Sequence, residues 1–451
     1  MMTTIINVKD YGAVGDGITD DTQAIQNAIN AAFNNKSYIK GVSGETYLIS
    51  SINLPAGFYD FRGVTFLSNG SLSGNSYVIN CQEGVNVNEL KIVVPTTNTL
   101  ERVLSINSNS IIDFINIISE TQHSNSNDLL DSCVIVSGNN IHIKQISIKN
   151  FDNSVCFYDV TDSHIQQINC ENYKRGVYIR KSANLYIDNL QTKGKSVTSS
   201  YTAGHNGLLI EDSELIFIKN TFIQDAGEHG IRIGGVRDKT YSQSNMYFDS
   251  IITKRCGGCG FKVYSGAIND SPTTIRYINI NSLVTVDCSY NQSPARNKDG
   301  LYIANGADIK INNFRCYTET TNVSSYSGIY LSGVDRLYIG NVEIRGSANT
   351  GITIDLNYGR VNEVFMDNVN IKSVKNEGIL INHSGEVLRD LIFKNVFIRE
   401  FGTNYYGVKV VASLIYQPVL FSGFVAKNNS LGAFTSNGSF NNLYNNLTLL
   451  S

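Results

Sequence analysis

The hydrophobic pattern of this chain changes character once. Between residues 24 and 33, Ala24, Ile25, Ala28, Ile29, Ala32 and Phe33 recur at three- and four-residue spacing, which places them on one stripe of a helix. Gln26, Asn27 and Asn30 fall on its wet side. Just upstream, Asp20 is placed to cap the amides of the first turn, with Gln23 three residues on to reach back in a capping box. Ile5 to Val8 reads as a short strand and Asp10 to Gly17 as turns. After about residue 46 the apolar positions alternate in short runs broken by Gly, Asn, Asp and Ser, the period of a strand. A single helix before hundreds of strand residues is read as a cap over the open end of a stack.

The strand region repeats. A glycine followed by apolar-x-apolar occurs at Gly176, Gly207, Gly230, Gly260, Gly300, Gly328, Gly351, Gly378 and Gly407, with intervals of 31, 23, 30, 40, 28, 23, 27 and 29 residues. A coil of three strands and three turns has about that length, and longer intervals leave room for inserted loops. A second phrase carries a central amide: Leu185-Tyr-Ile-Asp-Asn189, Leu337-Tyr-Ile-Gly-Asn341, Val364-Phe-Met-Asp-Asn368 and Leu391-Ile-Phe-Lys-Asn395. Asn220 and Asn313 hold the same place, and Gln145 and Gln167 begin the series. Strands stacked about 4.8 Å apart would put these amides in a ladder, each bonding its neighbours above and below. The reading is all-β: a right-handed parallel β-helix with three strands per coil. It comprises a cap over 1–45, coils over 46–420 and irregular final coils or a subunit-contact segment over 421–451.

Composition removes some function classes. The formal net charge is −3 and no Lys/Arg run exceeds two residues, which excludes the basic footprint of a general nucleic-acid binder. No stretch is long and apolar enough to cross a bilayer, and the start lacks a basic segment leading into an apolar one, so no signal peptide is read. Cys256-Gly-Gly-Cys259 has CxxC spacing without a second pair. Small buried thiols explain it better than zinc. No cofactor and no metal are assigned.

The segment Asn7-Val-Lys-Asp-Tyr-Gly-Ala-Val-Gly-Asp-Gly17, with Thr19-Asp-Asp21 and the Ala24–Ile29 helix, resembles the opening of pectate-lyase-superfamily β-helix proteins. That family includes phage tailspikes, polysaccharide hydrolases and lyases, and alginate-type epimerases. The resemblance implies the fold but not the chemistry. It implies a structural part for Asp16, Asp20 and Asp21, and trimeric assembly.

Alternation predicts which side chains leave the core. Behind each glycine the second residue points outward: Tyr178, Leu209, Arg232, Lys262, Tyr302, Tyr330, Thr353, Leu380 and Lys409. One step before the glycine stand Arg175, Asn206, His229, Cys259, Asp299, Ser327 and Thr350, and further along the strands Arg180, Glu211 and Tyr264. The middle coils therefore gather Glu228, His229, Asp299 and Glu211 as candidate catalytic groups. Arg232, Lys262, Tyr302, Tyr264, Tyr178, Arg180 and Tyr330 are the candidate substrate contacts. Insertions at 195–205, 236–243, 265–273 and 289–298 border them and would raise the walls of a groove.

Two chemistries suit such a patch. Hydrolysis uses two carboxyl groups; Glu228 and Asp299, two coils apart, should stand roughly 9–10 Å from one another, which fits inversion, with Glu211 as another partner. A lyase or C5-epimerase needs a base such as His229, Lys262 or Tyr302 and a cation such as Arg232. Glu228-His229-Gly230 resembles the His-centred motif of polygalacturonases, but their paired-Asp motif is not beside it. The expected function is endo-hydrolysis of bacterial capsule or O-antigen by a tailspike-like homotrimer. Such a protein is made in the bacterial cytoplasm, attached to the virion through another protein, and acts at the cell surface. It has no nucleic-acid partner and no membrane insertion. The rivals are a uronate lyase or epimerase, and a non-catalytic glycan-binding spike.

Overall fold

The computed structural model describes residues 4–70, 76–95, 102–123, 131–195, 204–234, 243–265, 275–289, 299–319, 327–346, 349–356, 359–382, 388–400, 405–411, 419–427, 434–436 and 447–449. The chain divides into two compact units: Met1–Lys195 with Ile216–Ile218, and Ser196–Leu215 with Lys219–Ser451. Both are built of parallel strands. The insertions expected to wall a groove fall largely outside the described residues.

In the first unit, Ile5–Asn7 pairs with Tyr38–Lys40, which pairs with Gly57–Asp60, which pairs in turn with Val85–Val94. Helix α1 (Thr22–Asn35) precedes the coils and buries Ile25, Ala28, Ile29 and Ala32. Phe33, expected on the buried stripe, is 51% exposed: the helix ends two residues later and Phe33 lines an open cleft with Tyr38, Phe58 and Tyr59. The cap also differs in detail. Asp20 Oδ1 accepts from Thr22 N at 2.9 Å, but Gln23 bonds Asn27 at 2.8 Å and does not reach back. Asp21 is turned toward the preceding loop, accepting from Val14 N at 2.6 Å and Gly15 N at 2.9 Å. That clamp explains a buried carboxylate in a turn segment: two amides satisfy it. Further along, Gln145, Gln167 and Asn189 stand in register on successive coils.

In the second unit the repeated glycine has a steric cause. A Cβ built on Gly207, Gly230, Gly260, Gly300, Gly328, Gly351 or Gly378 would lie less than 3.0 Å from the carbonyl oxygen of the next glycine in that series. The same residues donate or accept the bonds that tie coil to coil, as in Gly230 N to Cys259 O at 2.9 Å and Ile231 N to Gly260 O at 3.0 Å. Any side chain here would push the coils apart. On either side the strands alternate as expected: Ile231 and Ile233, Phe261 and Val263, Leu301 and Ile303, Ile329 and Leu331 are buried. Each such side chain contributes roughly 1.5–3 kcal/mol of apolar burial, and stacking them in columns gives every coil the same interior.

The amide ladder is present. Asn341 Nδ2 donates to Asn313 Oδ1 at 2.8 Å, Asn368 to Asn341 at 2.9 Å and Asn395 to Asn368 at 3.0 Å. Asn368 and Asn395 occupy the left-handed region, with φ of 49° and 50°, which asparagine tolerates better than most residues. The residue type thus serves both the bend and the rung.

Two substitutions test these columns. Gly230→Ala forces its Cβ onto Gly260 O and Thr253 Cγ2, each at 2.6 Å, and should cost about 1–3 kcal/mol as an overpacked site. Asn368→Ala removes bonds to both neighbouring rungs and leaves alanine in a left-handed bend, for a loss of about 1–3 kcal/mol. Denaturant midpoints check both, and an unchanged midpoint for either would contradict the assignment of that column.

Candidate active site on the glycine-led strands

Within the second unit the outward column runs in strict register: Leu209 with Arg232, Arg232 with Lys262, Lys262 with Tyr302, Tyr302 with Tyr330, then Thr353, Leu380 and Lys409. The position before the glycine forms a second column, in which Gly207 N bonds His229 O, Gly230 N bonds Cys259 O, Gly260 N bonds Asp299 O and Gly300 N bonds Ser327 O. Glu228, His229, Arg232, Lys262, Asp299 and Tyr302 therefore come together over three coils. Glu211 lies toward the Tyr264 end of the strand, roughly 16 Å by strand rise from the Asn206–His229 column but only two residues from Leu209, the position in register with Arg232. Tyr178 and Arg180 belong to the first unit; there Tyr178 is buried and pairs in register with Cys156.

The sequence reading placed these groups on an exposed patch, and the structure buries most of them. Glu211, Glu228, His229, Lys262 and Asp299 are all at most 5% exposed. Two effects account for this. Side chains in neighbouring coils of a parallel stack cover one another, and the carboxylates fold back onto backbone amides. Glu228 Oε2 accepts from Gly204 N at 2.6 Å, and Asp299 Oδ1 accepts from Ser327 N at 2.9 Å.

His229 lies deepest, fully buried. Its Nδ1 accepts from the Cys259 amide at 2.9 Å, so the ring proton sits on Nε2. That N–H points between Glu228 Oε1 at 3.2 Å and Lys262 Nζ at 3.3 Å. Burial, with Lys262 adding to it and Glu228 opposing, lowers the imidazole pKa to about 4. Both ring nitrogens are thus occupied, and the geometry gives His229 a positioning part beneath Lys262.

Lys262 is the centre of the cluster. Burial lowers its pKa from the ordinary lysine value, and Arg232 acts in the same direction. Its Nζ lies 3.3 Å from His229 Nε2, whose proton Glu228 Oε1 accepts at 3.2 Å, so the amine's lone pair is not spent on the imidazole. The Lys262 Nζ also lies 5.1 Å from the Tyr264 ring centroid and 5.3 Å from that of Tyr302.

The tyrosines do not present faces for sugar stacking as expected. Tyr302 and Tyr330 stack on each other at 4.9 Å with an interplanar angle of 1°, and Lys262 covers the other face of Tyr302. Their edges and hydroxyls point out of the stack. The Tyr330 hydroxyl donates to Asp355 Oδ2 at 2.9 Å, while the Tyr302 hydroxyl has no hydrogen-bond partner among the described residues. Burial raises both phenol pKa values, so both keep their protons.

Sequence reasoning passed over two residues here. Asn206 Oδ1 accepts from His229 N at 3.3 Å, and its Nδ2 is a buried donor with no partner. Its place before Gly207 was the available signal. Asp355 was out of reach, because its bond to Tyr330 is diagonal between coils. Arg232 Nε is a further buried donor without a partner. Two buried donors on adjacent coils of this face are thus left for water or a bound acceptor. Among the described residues no cluster of His, Cys, Asp or Glu is arranged to hold a metal ion, and the eight cysteines are buried and form no disulfide.

An NMR pH titration checks the His229 geometry. Its imidazole should show a midpoint near 4, with Nε2 as the protonated nitrogen; a midpoint of about 6.5, the ordinary histidine value, would contradict the buried arrangement.

Residues 5–203 match the family described as rhamnogalacturonase A/epimerase, pectate lyase-like. Mannuronan C5-epimerase AlgE5 of Azotobacter vinelandii is 41% identical over 86 residues, 19% of this chain and 7% of that protein. Alginate lyase 7 of the same organism is 42% identical over 86 residues, 19% of this chain and 9% of that protein. The tail spike protein of an Escherichia phage is 36% identical over 87 residues, 17% of this chain and 10% of that protein. The chain thus spans a tenth or less of these curated relatives. Among solved structures, pre-mature bacteriophage phi29 gene product 12 superposes with a TM-score of 0.53 at 16% identity, covering 93% of this chain and 56% of that one.

Proposed function

We propose that this chain, which carries the pectate-lyase-superfamily right-handed β-solenoid fold, cleaves an acidic polysaccharide by β-elimination, with Lys262 as the base. The observation that carries the reading is the place of Lys262, buried beside His229 Nε2 and one coil from Arg232, where burial lowers its affinity for a proton. Lys262 Nζ takes the proton from the carbon next to a uronate carboxylate. The electron pair spreads into that carboxylate, whose added charge Arg232 meets, with Asn206 Nδ2 as a further donor. The bond to the neighbouring sugar's oxygen then breaks, and the Tyr302 hydroxyl returns a proton to the leaving oxygen. The products are an unsaturated sugar and a new reducing end.

Lys262 and Tyr302 stand on adjacent coils of one strand face, so base and acid approach the sugar from the same side. This favours elimination over epimerisation, which needs a proton donor on the opposite face of the ring. Endo-hydrolysis by Glu228 and Asp299 is less well supported. Both oxygens of Glu228 accept from N–H groups, which holds it as a carboxylate rather than the acid that hydrolysis requires, and Asp299 Oδ1 is committed to Ser327 N. For the setting we propose bacterial surface polysaccharide and a tailspike-like trimer attached to a virion through another protein. The match to a phage tail spike protein supports that setting.

Incubation with alginate, polygalacturonate or a capsular polysaccharide should generate ultraviolet-absorbing double bonds together with reducing ends. Lys262→Met should lower the rate by about 10²–10⁴-fold. Because the reacting form is the uncharged amine, activity should rise with pH, reaching half-maximum below the ordinary lysine range. Reducing ends without unsaturation would establish hydrolysis instead, and tight binding without shortening would establish a non-catalytic spike.

A further inference from the structure

A row of cations runs along the second unit on strands other than the glycine-led ones. Register sets Arg345 beside Lys372, Lys372 beside Arg399 and Arg399 beside Lys427. Four positive side chains therefore stand one coil apart, about 4.8 Å by strand spacing, in a chain of formal net charge −3. Like charges directly opposite one another on paired strands are destabilising, and acids offset only part of the row. Glu400 Oε1 lies 3.3 Å from Lys372 Nζ. Glu343 is engaged by the Tyr317 hydroxyl at 2.8 Å and by Arg315 Nε at 3.8 Å. Among the described residues no carboxylate is within ion-pair distance of Arg345, Arg399 or Lys427.

The row also contains unmet hydrogen-bonding groups. Arg399 Nε and Asn370 Oδ1 are buried atoms without a partner. Both residues line a small cleft of about 90 Å³ together with Glu343, Arg345 and Lys372. The Arg399 guanidinium is held over the Phe397 ring at 5.3 Å. One orphan is an acceptor and the other a donor on the next coil, so an occupant that offers an O–H group and an anionic oxygen one coil apart would meet both.

We propose that this row is a second binding track for an acidic polysaccharide, separate from the Lys262 site. A carboxylate or sulfate sits on Arg399 and Lys372, and a sugar hydroxyl donates to Asn370 Oδ1. One sugar unit is about as long as one coil is tall, so a repeating anion meets a repeating cation. The identity of the ligand rests on the reading of the Lys262 site as acting on acidic glycans, but the track itself does not depend on turnover.

Equilibrium binding of the full chain to polygalacturonate and to dextran sulfate tests it, in a Lys262→Met background so that no chain is shortened. The double variant K372Q/R399Q should bind about tenfold more weakly, as expected for losing charge-assisted bonds. K310Q/K394Q removes the same charge from lysines that lie over Tyr338 and Phe365, and should bind within about twofold of the parent by the small worth of surface charges. Unchanged circular dichroism melts keep the comparison valid. Equal loss in both doubles, no loss in either, no binding of either polymer, or a parent that prefers RNA to both polymers would each overturn the proposal. A chain that binds this way but cleaves nothing would refute the elimination reading alone.

Discussion

The spacing between coils governs this structure. Parallel strands fix the height of each coil, and the glycine series sits where the next coil's carbonyl oxygen leaves no room for a Cβ. That one steric condition sets the register of the strands on either side. Given the register, identical positions in successive repeats become neighbours, and residues 23 to 40 apart in sequence behave as adjacent. The Asn313–Asn395 ladder, the apolar columns and the stacked Tyr302–Tyr330 rings are three consequences of the same geometry.

The stacking also creates the chemistry. A lysine on an outward position of an isolated strand would be solvated and charged. Between Arg232 below and Tyr302 above, with His229 beneath, Lys262 loses its water and part of its affinity for a proton. The cation and the Tyr302 ring come from its own column, one coil away on each side, and the Tyr264 ring from its own strand. The same mechanism has a cost at the Arg345–Lys427 row, where stacking like charges leaves unmet groups.

Much of this was legible in the sequence because the code is periodic. The glycine phrase and the central amides carried the register, and the outward column was read residue by residue from Leu209 to Lys409. What was not legible is depth. Alternation tells which way a side chain leaves the backbone, not whether its neighbours then cover it, so Glu228, His229 and Asp299 were read as exposed. Nor does alternation report ring orientation, and Tyr302 and Tyr330 turned out to occupy each other's faces. Position along the strand is not given by alternation either: Glu211 stands at the Tyr264 end, away from the His229 column. The helix showed a similar limit: Phe33 has the right spacing, but it lies in the last turn and lines an open cleft.

The most direct measurement of the central claim is a crystal structure of the Lys262→Met chain with a uronate oligosaccharide bound. The account predicts one sugar carboxylate on Arg232, with the adjacent carbon roughly 3–3.5 Å from where Nζ would stand, and the Tyr302 hydroxyl at the bridging oxygen. An oligosaccharide bound only elsewhere, with the Arg232–Lys262–Tyr302 column untouched, would contradict it.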